Sequence, residues 1–231
     1  IQTEDSLKAG TDSTNFTVLR VKRDILRRSS IGGIFTNRSV SLEGPGGSQA
    51  YGVDGTFAFF DNVSLLGYYA KTQTPENTEA KTQTPENTEE DQSYQGKFEY
   101  GGDRYGLTTD YLVVEDNFIP EVGFLLRDNF KRTNVNARFS PRPQSLGLVR
   151  QFTFVGDIDY YTTADQGFLE TRTRSFEFRS EFENSDRFDV RLASNFERLD
   201  VPFPISGVVL PAGEYLFTNT TVGYTLGAQR Y

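Results

Sequence analysis

The sequence predicts an all-β fold, an antiparallel up-and-down transmembrane β-barrel of about eleven strands. Apolar and polar residues alternate with period two over segments of roughly ten residues, which is typical of strands with one apolar and one polar face. Gly, Asn, Asp and Pro interrupt these segments at short intervals, as expected for turns. Strands in soluble sheets typically have about 5–6 residues, whereas a tilted strand that crosses a bilayer needs about 9–11. Because bacterial barrels have even strand numbers, we expect further strands outside this sequence.

The hairpin of residues 175–198 shows the alternation most clearly. Phe176 and Phe178 fall on one face of its first arm, and Glu177 and Arg179 fall on the other. In a barrel, the apolar face meets lipid and the charged face meets the water-filled lumen. The predicted lipid-facing side chains are Phe57, Phe59, Phe152, Phe154, Phe176, Phe178, Phe188 and Phe196. The predicted lumen-facing side chains are Asp157, Asp159, Glu177, Arg179, Glu181, Asp189, Arg191 and Glu197.

The other elements follow from the same pattern. Residues 1–14 are polar without periodicity and predict an N-terminal arm or linker, so the barrel domain runs over residues 15–231. The predicted strands are 15–23, 30–37, 50–59, 63–72, 93–100, 104–113, 132–139, 148–160, 169–183, 187–198 and 214–226. Tyr recurs near several strand ends, where barrels carry an aromatic girdle.

Three longer connections separate these strands. Residues 70–92 contain a tandem decapeptide, KTQTPENTEA followed by KTQTPENTEE, which is too polar to bury a face and predicts a solvated loop. Residues 114–131 have a mixed pattern around Ile119-Pro120 and predict an ordered loop. Residues 202–211 begin and end with Pro and predict a loop.

The composition excludes several classes of function. The 231-residue chain has no His and no Cys, which removes Ser-His and Cys-His catalysis and the usual zinc sites. Its net charge of -8 argues against a nucleic-acid partner. A disordered chain would lack its 20 Phe and 12 Tyr. We therefore predict a folded, non-enzymatic protein without metal or cofactor.

The carboxylates of one strand allow two interpretations. Asp157 and Asp159 lie two residues apart on one face, a spacing that suits Ca²⁺ ligands or acid-base carboxylates. Barrel strands that face a wet lumen carry such pairs routinely, and we favour that interpretation. The charges of the 175–198 hairpin likewise predict cross-strand ladders, or the lining of an ion-selective or sugar-binding lumen.

Several runs resemble a known bacterial family. The runs are NFTVLRVKRDILRRSSIGGIFTNR at 15–38, NFIPEVGFLLRDNFKRT at 117–133 followed by FSPRP at 139–143, and LPAGEYLFTNTTVGYTLGAQR at 210–230. They resemble the C-terminal barrel region of the family known as domain of unknown function 5916. The resemblance implies an exported outer-membrane protein whose N-terminal domain, similar to carbohydrate-binding family 9, is absent here and whose barrel continues beyond Tyr231. The decapeptide repeat departs from the family pattern, and a sugar-binding module would lie outside this sequence.

The sequence is compatible with two functions. The first is a bacterial outer-membrane barrel segment that anchors a binding domain or lets solutes such as saccharides pass, with lipid and other subunits of a cell-surface complex as partners. The second is a soluble extracellular all-β binding protein, an adhesin or fibre subunit, whose apolar faces pair with another sheet or subunit.

Overall fold

The computed structural model describes residues 1–4, 12–75 and 91–228. Within this part of the chain, the named elements are all strands, and eleven of them agree with the eleven predicted strands to within about three residues at each end, the usual uncertainty of a boundary. The strands are β1 Phe16–Ile25, β2 Ser29–Arg38, β3 Ser48–Phe59, β4 Val63–Gln73, β5 Gln92–Gly101, β6 Tyr105–Val114, β7 Phe130–Phe139, β8 Val149–Thr163, β9 Leu169–Phe182, β10 Arg187–Leu199, β11 Phe203–Ile205, β12 Val208–Leu210 and β13 Gly213–Thr225.

Eleven of these strands form one sheet in the order β1-β2-β3-β4-β5-β6-β7-β8-β9-β10-β13. The predicted all-β, antiparallel up-and-down topology is therefore confirmed. The order begins at β1 and ends at β13, and among the described residues no ladder joins these two strands. Closure into a barrel and a transmembrane position stay predictions.

The connection between β10 and β13 contains a small hairpin that the sequence did not predict. Strands β11 and β12 pair as a separate two-stranded sheet in the stretch predicted to be a loop. Its turn is Ser206-Gly207, where both residues have positive φ, 47° and 84°. This is the backbone of a tight two-residue hairpin turn, which favours Gly.

The connections between consecutive sheet strands form a short group and a long group, which largely alternate along the chain. After β1, β3 and β5 only three residues intervene, 26–28, 60–62 and 102–104, and four intervene after β9, 183–186. The connections after β2, β4, β6 and β10 are longer, and they run over 39–47, 74–91, 115–129 and 200–212. Two connections break this alternation, the long connection 140–148 after β7 and the short connection 164–168 after β8.

The chain divides into two compact units. Unit 1 comprises Ile1–Lys97, Leu112–Lys131 and Ala164–Gln166, and unit 2 comprises Phe98–Tyr111, Arg132–Thr163 and Gly167–Tyr231. The buried hydrophobic side chains of the described residues all lie in unit 1, and they are Val113, Val114, Phe118 and Phe130. The described residues of unit 2 contain no buried hydrophobic side chain.

The connection between β6 and β7 supplies part of the small core of unit 1. The hydroxyl of Thr72 donates to the carbonyl of Asn117 (3.2 Å) and accepts from the N–H of Ile119 (3.1 Å). Glu121 accepts hydrogen bonds from the Ser41 hydroxyl and from the N–H of Leu42 (3.0 Å). These bonds fix the path of the segment within unit 1, and its own Phe118 is buried.

Residues 76–90, which hold most of the decapeptide repeat, lie outside the described residues, so its prediction as a loop is not addressed. No helix among the described residues is long and apolar enough to span a membrane.

Candidate functional site

The register of β8, β9 and β10 separates the side chains of unit 2 into two faces. Directly opposite residues of an antiparallel pair point to the same side of the sheet, and Asp157 pairs with Ser175, Glu177 with Arg191, and Arg179 with Asp189. We call this side the charged face. Its members include all eight residues predicted to face a lumen, Asp157, Asp159, Glu177, Arg179, Glu181, Asp189, Arg191 and Glu197.

An ion pair on the charged face joins the neighbouring strands β7 and β8. The Nε and Nη2 atoms of Arg132 donate to the two carboxylate oxygens of Asp159, at 2.8 and 3.0 Å. The same guanidinium lies 3.9 Å from the Asp110 carboxylate and 5.5 Å from the ring centre of Tyr161. Bidentate geometry and a ring beneath the cation orient this arginine, so its position on the face is fixed.

Asp157 is held by amides instead of a cation. The side-chain nitrogens of Asn136 and Asn134 lie 3.1 and 3.4 Å from the same carboxylate oxygen. Asp157 and Asp159 therefore bind different partners, and within the described residues no three acidic side chains converge as a metal site requires.

The charges of this face nearly balance. Arg179 donates to Glu177 on its own strand, and Glu181 lies 3.6 Å from Arg150. By strand alternation, β7 to β10 carry five arginines on this face, Arg132, Arg138, Arg179, Arg187 and Arg191. They carry six carboxylates there, Asp157, Asp159, Glu177, Glu181, Asp189 and Glu197. Such a surface offers many hydrogen-bonding groups with little net field.

Unit 1 has a comparable polar contact that the sequence did not predict. Arg20 on β1 forms an ion pair with Asp54 on β3, across the intervening strand β2. The guanidinium passes over Gly32, where a Cβ would lie only 2.8 Å from its nitrogen. Gly32 thus makes room for the Arg20 side chain. The sequence feature that could have indicated this contact is the pair Gly32-Gly33 inside a strand, because glycine in a strand often marks a close approach of this kind.

The opposite side of each unit is apolar. In unit 1, Phe57 and Phe59 lie on it with ring centres 6.4 Å apart. In unit 2 the ladder places on one face the remaining residues predicted to face lipid, Phe152, Phe154, Phe176, Phe178, Phe188 and Phe196. We call this side the apolar face.

The apolar face of unit 2 combines ring contacts with high exposure. The centres of Phe154 and Phe178 are 5.2 Å apart, and those of Phe152 and Phe178 are 5.7 Å apart. Phe176 nevertheless remains 47% exposed and Leu192 49% exposed. The rings pack side by side along the sheet.

No family model matches this chain, and neither a curated protein nor a solved structure matches it.

Proposed function

We propose that this chain is a segment of a bacterial outer-membrane β-barrel with a non-enzymatic role. Its function would be to anchor a larger cell-surface protein in the membrane and to let hydrophilic solutes such as saccharides pass. The resemblance of several of its runs to the barrel region of domain of unknown function 5916 agrees with this proposal.

The two-faced sheet of unit 2 is the observation that carries the proposal. Burying a Leu, Val or Phe side chain stabilises a protein by about 1.5–3 kcal/mol, and a soluble fold gains that energy in a core. The described part of unit 2 fully buries none of its hydrophobic side chains, and one of its faces carries a cluster of phenylalanine rings. A hydrocarbon solvent on that face and water on the charged face would provide the missing stabilisation.

Strand and connection lengths support the same placement. The strands of the main sheet have 10 to 15 residues, as tilted bilayer-spanning strands require. Outer-membrane barrels have short turns on the periplasmic side and long loops outside. The three-residue turns after β1, β3 and β5 fit the first kind, and the connections after β2, β4 and β6 fit the second.

The near balance of charge on the charged face favours neutral, hydroxyl-rich solutes. A ring of one sign would select ions, whereas here arginines and carboxylates are present in nearly equal number, Arg132 is paired with Asp159, and two asparagines flank Asp157. Saccharides have hydroxyl groups that both donate and accept, and they suit a surface of mixed donors and acceptors.

The membrane placement is tested by extraction. We expect the chain, expressed with any natural flanking strands, to partition with outer membranes and to need detergent for extraction. The folded protein should migrate differently from the boiled protein on a denaturing gel. A chain that stays monodisperse in buffer without detergent would overturn the proposal.

Solute passage is tested separately. We expect liposomes that contain the protein to swell in iso-osmotic solutions of uncharged saccharides, because a wet lumen would admit them. Liposomes that contain a folded, heat-modifiable protein but do not swell would leave only the anchoring role.

The alternative function is a soluble adhesin or fibre subunit, and the same exposed apolar face is the observation that favours it. In that case a second protein surface would cover Phe176 and Leu192. Detergent-free, concentration-dependent self-association would support this alternative.

A further inference from the structure

Two arginines interrupt the apolar face of unit 2 near one end of β9. Arg174 pairs with Ile158 on β8 and Ser194 on β10, and Arg172 pairs with Tyr160 and Phe196. They precede Phe176 on the same face, Arg174 by about 7 Å and Arg172 by about 13 Å along the strand, given the rise of about 3.3 Å per residue. Both lie toward the end of β9 at which the chain enters the strand from the 164–168 connection.

Neither arginine has a carboxylate partner among the described residues. Arg174 is exposed and forms no ion pair with any described residue, and the guanidinium of Arg172 lies 5.6 Å from the ring centre of Phe196. The rest of this face is mainly apolar. An unpaired cation on it would be costly, because the charge would lie in hydrocarbon. A long arginine side chain avoids that cost by extending its guanidinium to the membrane interface.

An open groove of about 620 Å³ adjoins Arg174 on the same face. Small side chains form its floor, and larger apolar ones border it. The residues on this face that line it include Gly156, Ile158, Arg174, Phe176, Ser194 and Thr218. An elongated apolar group fits such a groove, and the cation at its edge fits an anionic group attached to it.

Acidic groups lie farther toward the strand end. Glu170 is two residues beyond Arg172 on β9, and Glu214 faces Arg198, which itself bonds to Asp200 at 2.9 Å. The region around Arg172 and Arg174 is therefore locally positive, although the chain as a whole is acidic.

We propose that Arg172, Arg174 and the adjoining groove bind a phosphorylated lipid. The arginines contact the head-group phosphates and the groove receives an acyl chain. This inference rests on the proposed membrane placement and names a lipid partner for it. Arginine matches phosphate geometry through paired N–H donors, and a cation near an anionic membrane surface contributes about 1 kcal/mol.

The test is native mass spectrometry of the folded protein in neutral detergent. The probes are bisphosphorylated lipid A and the same lipid after removal of its phosphates. We expect the phosphorylated form to bind preferentially, and the double variant Arg172→Gln/Arg174→Gln to weaken its binding by roughly 30-fold, two cations at the interface being lost. Arg191→Gln removes one arginine from the opposite face and should leave binding unchanged.

The groove has its own variant. A Cβ at Gly156 meets no atom within 4 Å, so Gly156→Leu fills the groove without a clash. We expect it to reduce binding of both lipid forms. Gly96 on β5 has equally open surroundings, and Gly96→Leu serves as its control.

The outcomes separate this inference from the proposed function. Equal binding of the two lipid forms, or equal loss in Arg191→Gln, would overturn the inference while heat-modifiable migration still supported a barrel. Full displacement of the lipid by inorganic phosphate would show a free-anion site and would also overturn it. A protein that needs no detergent would overturn the proposed function itself.

Discussion

The hydroxyl of Tyr224, near the end of the last strand, donates a 2.6 Å hydrogen bond to the carboxylate of Asp186 in the turn between β9 and β10. Asp186 is fully buried and also accepts from the N–H of Gly227 at 2.8 Å and from the amide of Asn184 at 3.0 Å. One turn carboxylate thus fastens the end of β13 to the neighbouring hairpin. A buried charge is tolerated when it is hydrogen-bonded in this way.

Removing the Tyr224 hydroxyl should destabilise the sheet. We expect Tyr224→Phe to lower the free energy of unfolding by about 1.5–3 kcal/mol, the range for a hydrogen bond to a charged group. Urea unfolding of the detergent-folded protein measures the change.

Tyr215, on the same strand, provides the matched control. Its hydroxyl donates to the neutral carbonyl of Pro211 at 2.7 Å in an exposed position, so Tyr215→Phe should cost only about 0.5–1.5 kcal/mol. Equal losses in the two variants would contradict the special role of Asp186.

Gly52 on β3 marks a close backbone approach. A Cβ at this position would lie 2.8 Å from the carbonyl oxygen of Tyr69 on β4 and 3.0 Å from the Cβ of Ala70. We expect Gly52→Ala to destabilise the protein by about 1–3 kcal/mol, since the neighbouring backbone must move. Gly96→Ala, which meets open space, should be neutral or stabilising by up to about 1 kcal/mol. Thermal unfolding of both variants in detergent measures the change in stability. A Gly52→Ala variant as stable as the unaltered protein would contradict the close backbone approach.

Alternation of side chains explains why the strands could be predicted. Between Ser175 and Arg198, apolar and polar residues largely alternate. An alternation with period two over such lengths predicts β-strands. The eleven strands follow from this pattern, and the short turns after β1, β3, β5 and β9 pair the strands that they join. The separation of Phe176 from Glu177 onto opposite faces follows from the same geometry.

Contacts between residues that are distant in the sequence could not be predicted from this alternation. Arg20 meets Asp54 across a strand, and this depends on the register of two ladders and on the missing side chain of Gly32. The β11–β12 hairpin was missed because Pro202 and Pro211 suggested a loop, whereas the Ser206-Gly207 turn was the stronger local signal. Periodicity also cannot say which solvent meets each face.

Arg142 lowers the pKa of Asp103 in the turn between β5 and β6. Its guanidinium donates two hydrogen bonds to that carboxylate, and this pairing is the main cause of the lowered pKa of Asp103. We expect Arg142→Gln to bring the Asp103 pKa back toward its ordinary value, measured by NMR titration of the carboxyl carbon. Arg104→Gln, which removes only a weaker charge effect, should shift it less.

The direction of the pH dependence follows from the sign of that shift. A carboxyl group with a lowered folded-state pKa contributes stability above its unfolded pKa, and that contribution disappears as the pH falls through the folded value. Both side chains are exposed to solvent, so the titration of Asp103 is a more sensitive readout than unfolding. An unchanged titration in Arg142→Gln would exclude the pairing in solution.

Neutralising the central carboxylates should change ion preference if the charged face lines a pore. Asp157→Asn/Asp159→Asn removes two negative charges and leaves Arg132 without its bidentate partner. We expect the reversal potential in planar bilayers to shift toward anions by a severalfold change in permeability ratio. Asp61→Asn, in an exposed turn between β3 and β4, is the control and should leave the ratio unchanged. A ratio that both variants leave unchanged would place the face outside any conduction path.

The orientation of the two faces can be tested with arginine substitutions on one strand. Val190 pairs with Phe178 on the apolar face, and Ala193 pairs with Ser175 on the charged face. An arginine at the lipid-facing midplane of a barrel costs about 2–4 kcal/mol, whereas lumen positions tolerate it. We therefore expect Val190→Arg to lower the folding yield into lipid vesicles severely and Ala193→Arg to fold nearly as the unaltered protein does. If a soluble partner covered the apolar face instead, Val190→Arg would abolish association in buffer and leave the behaviour in vesicles unaffected. The reverse ranking, with Ala193→Arg the more harmful, would mean that the faces point the other way. Because both substitutions add the same side chain three residues apart, only the face distinguishes them.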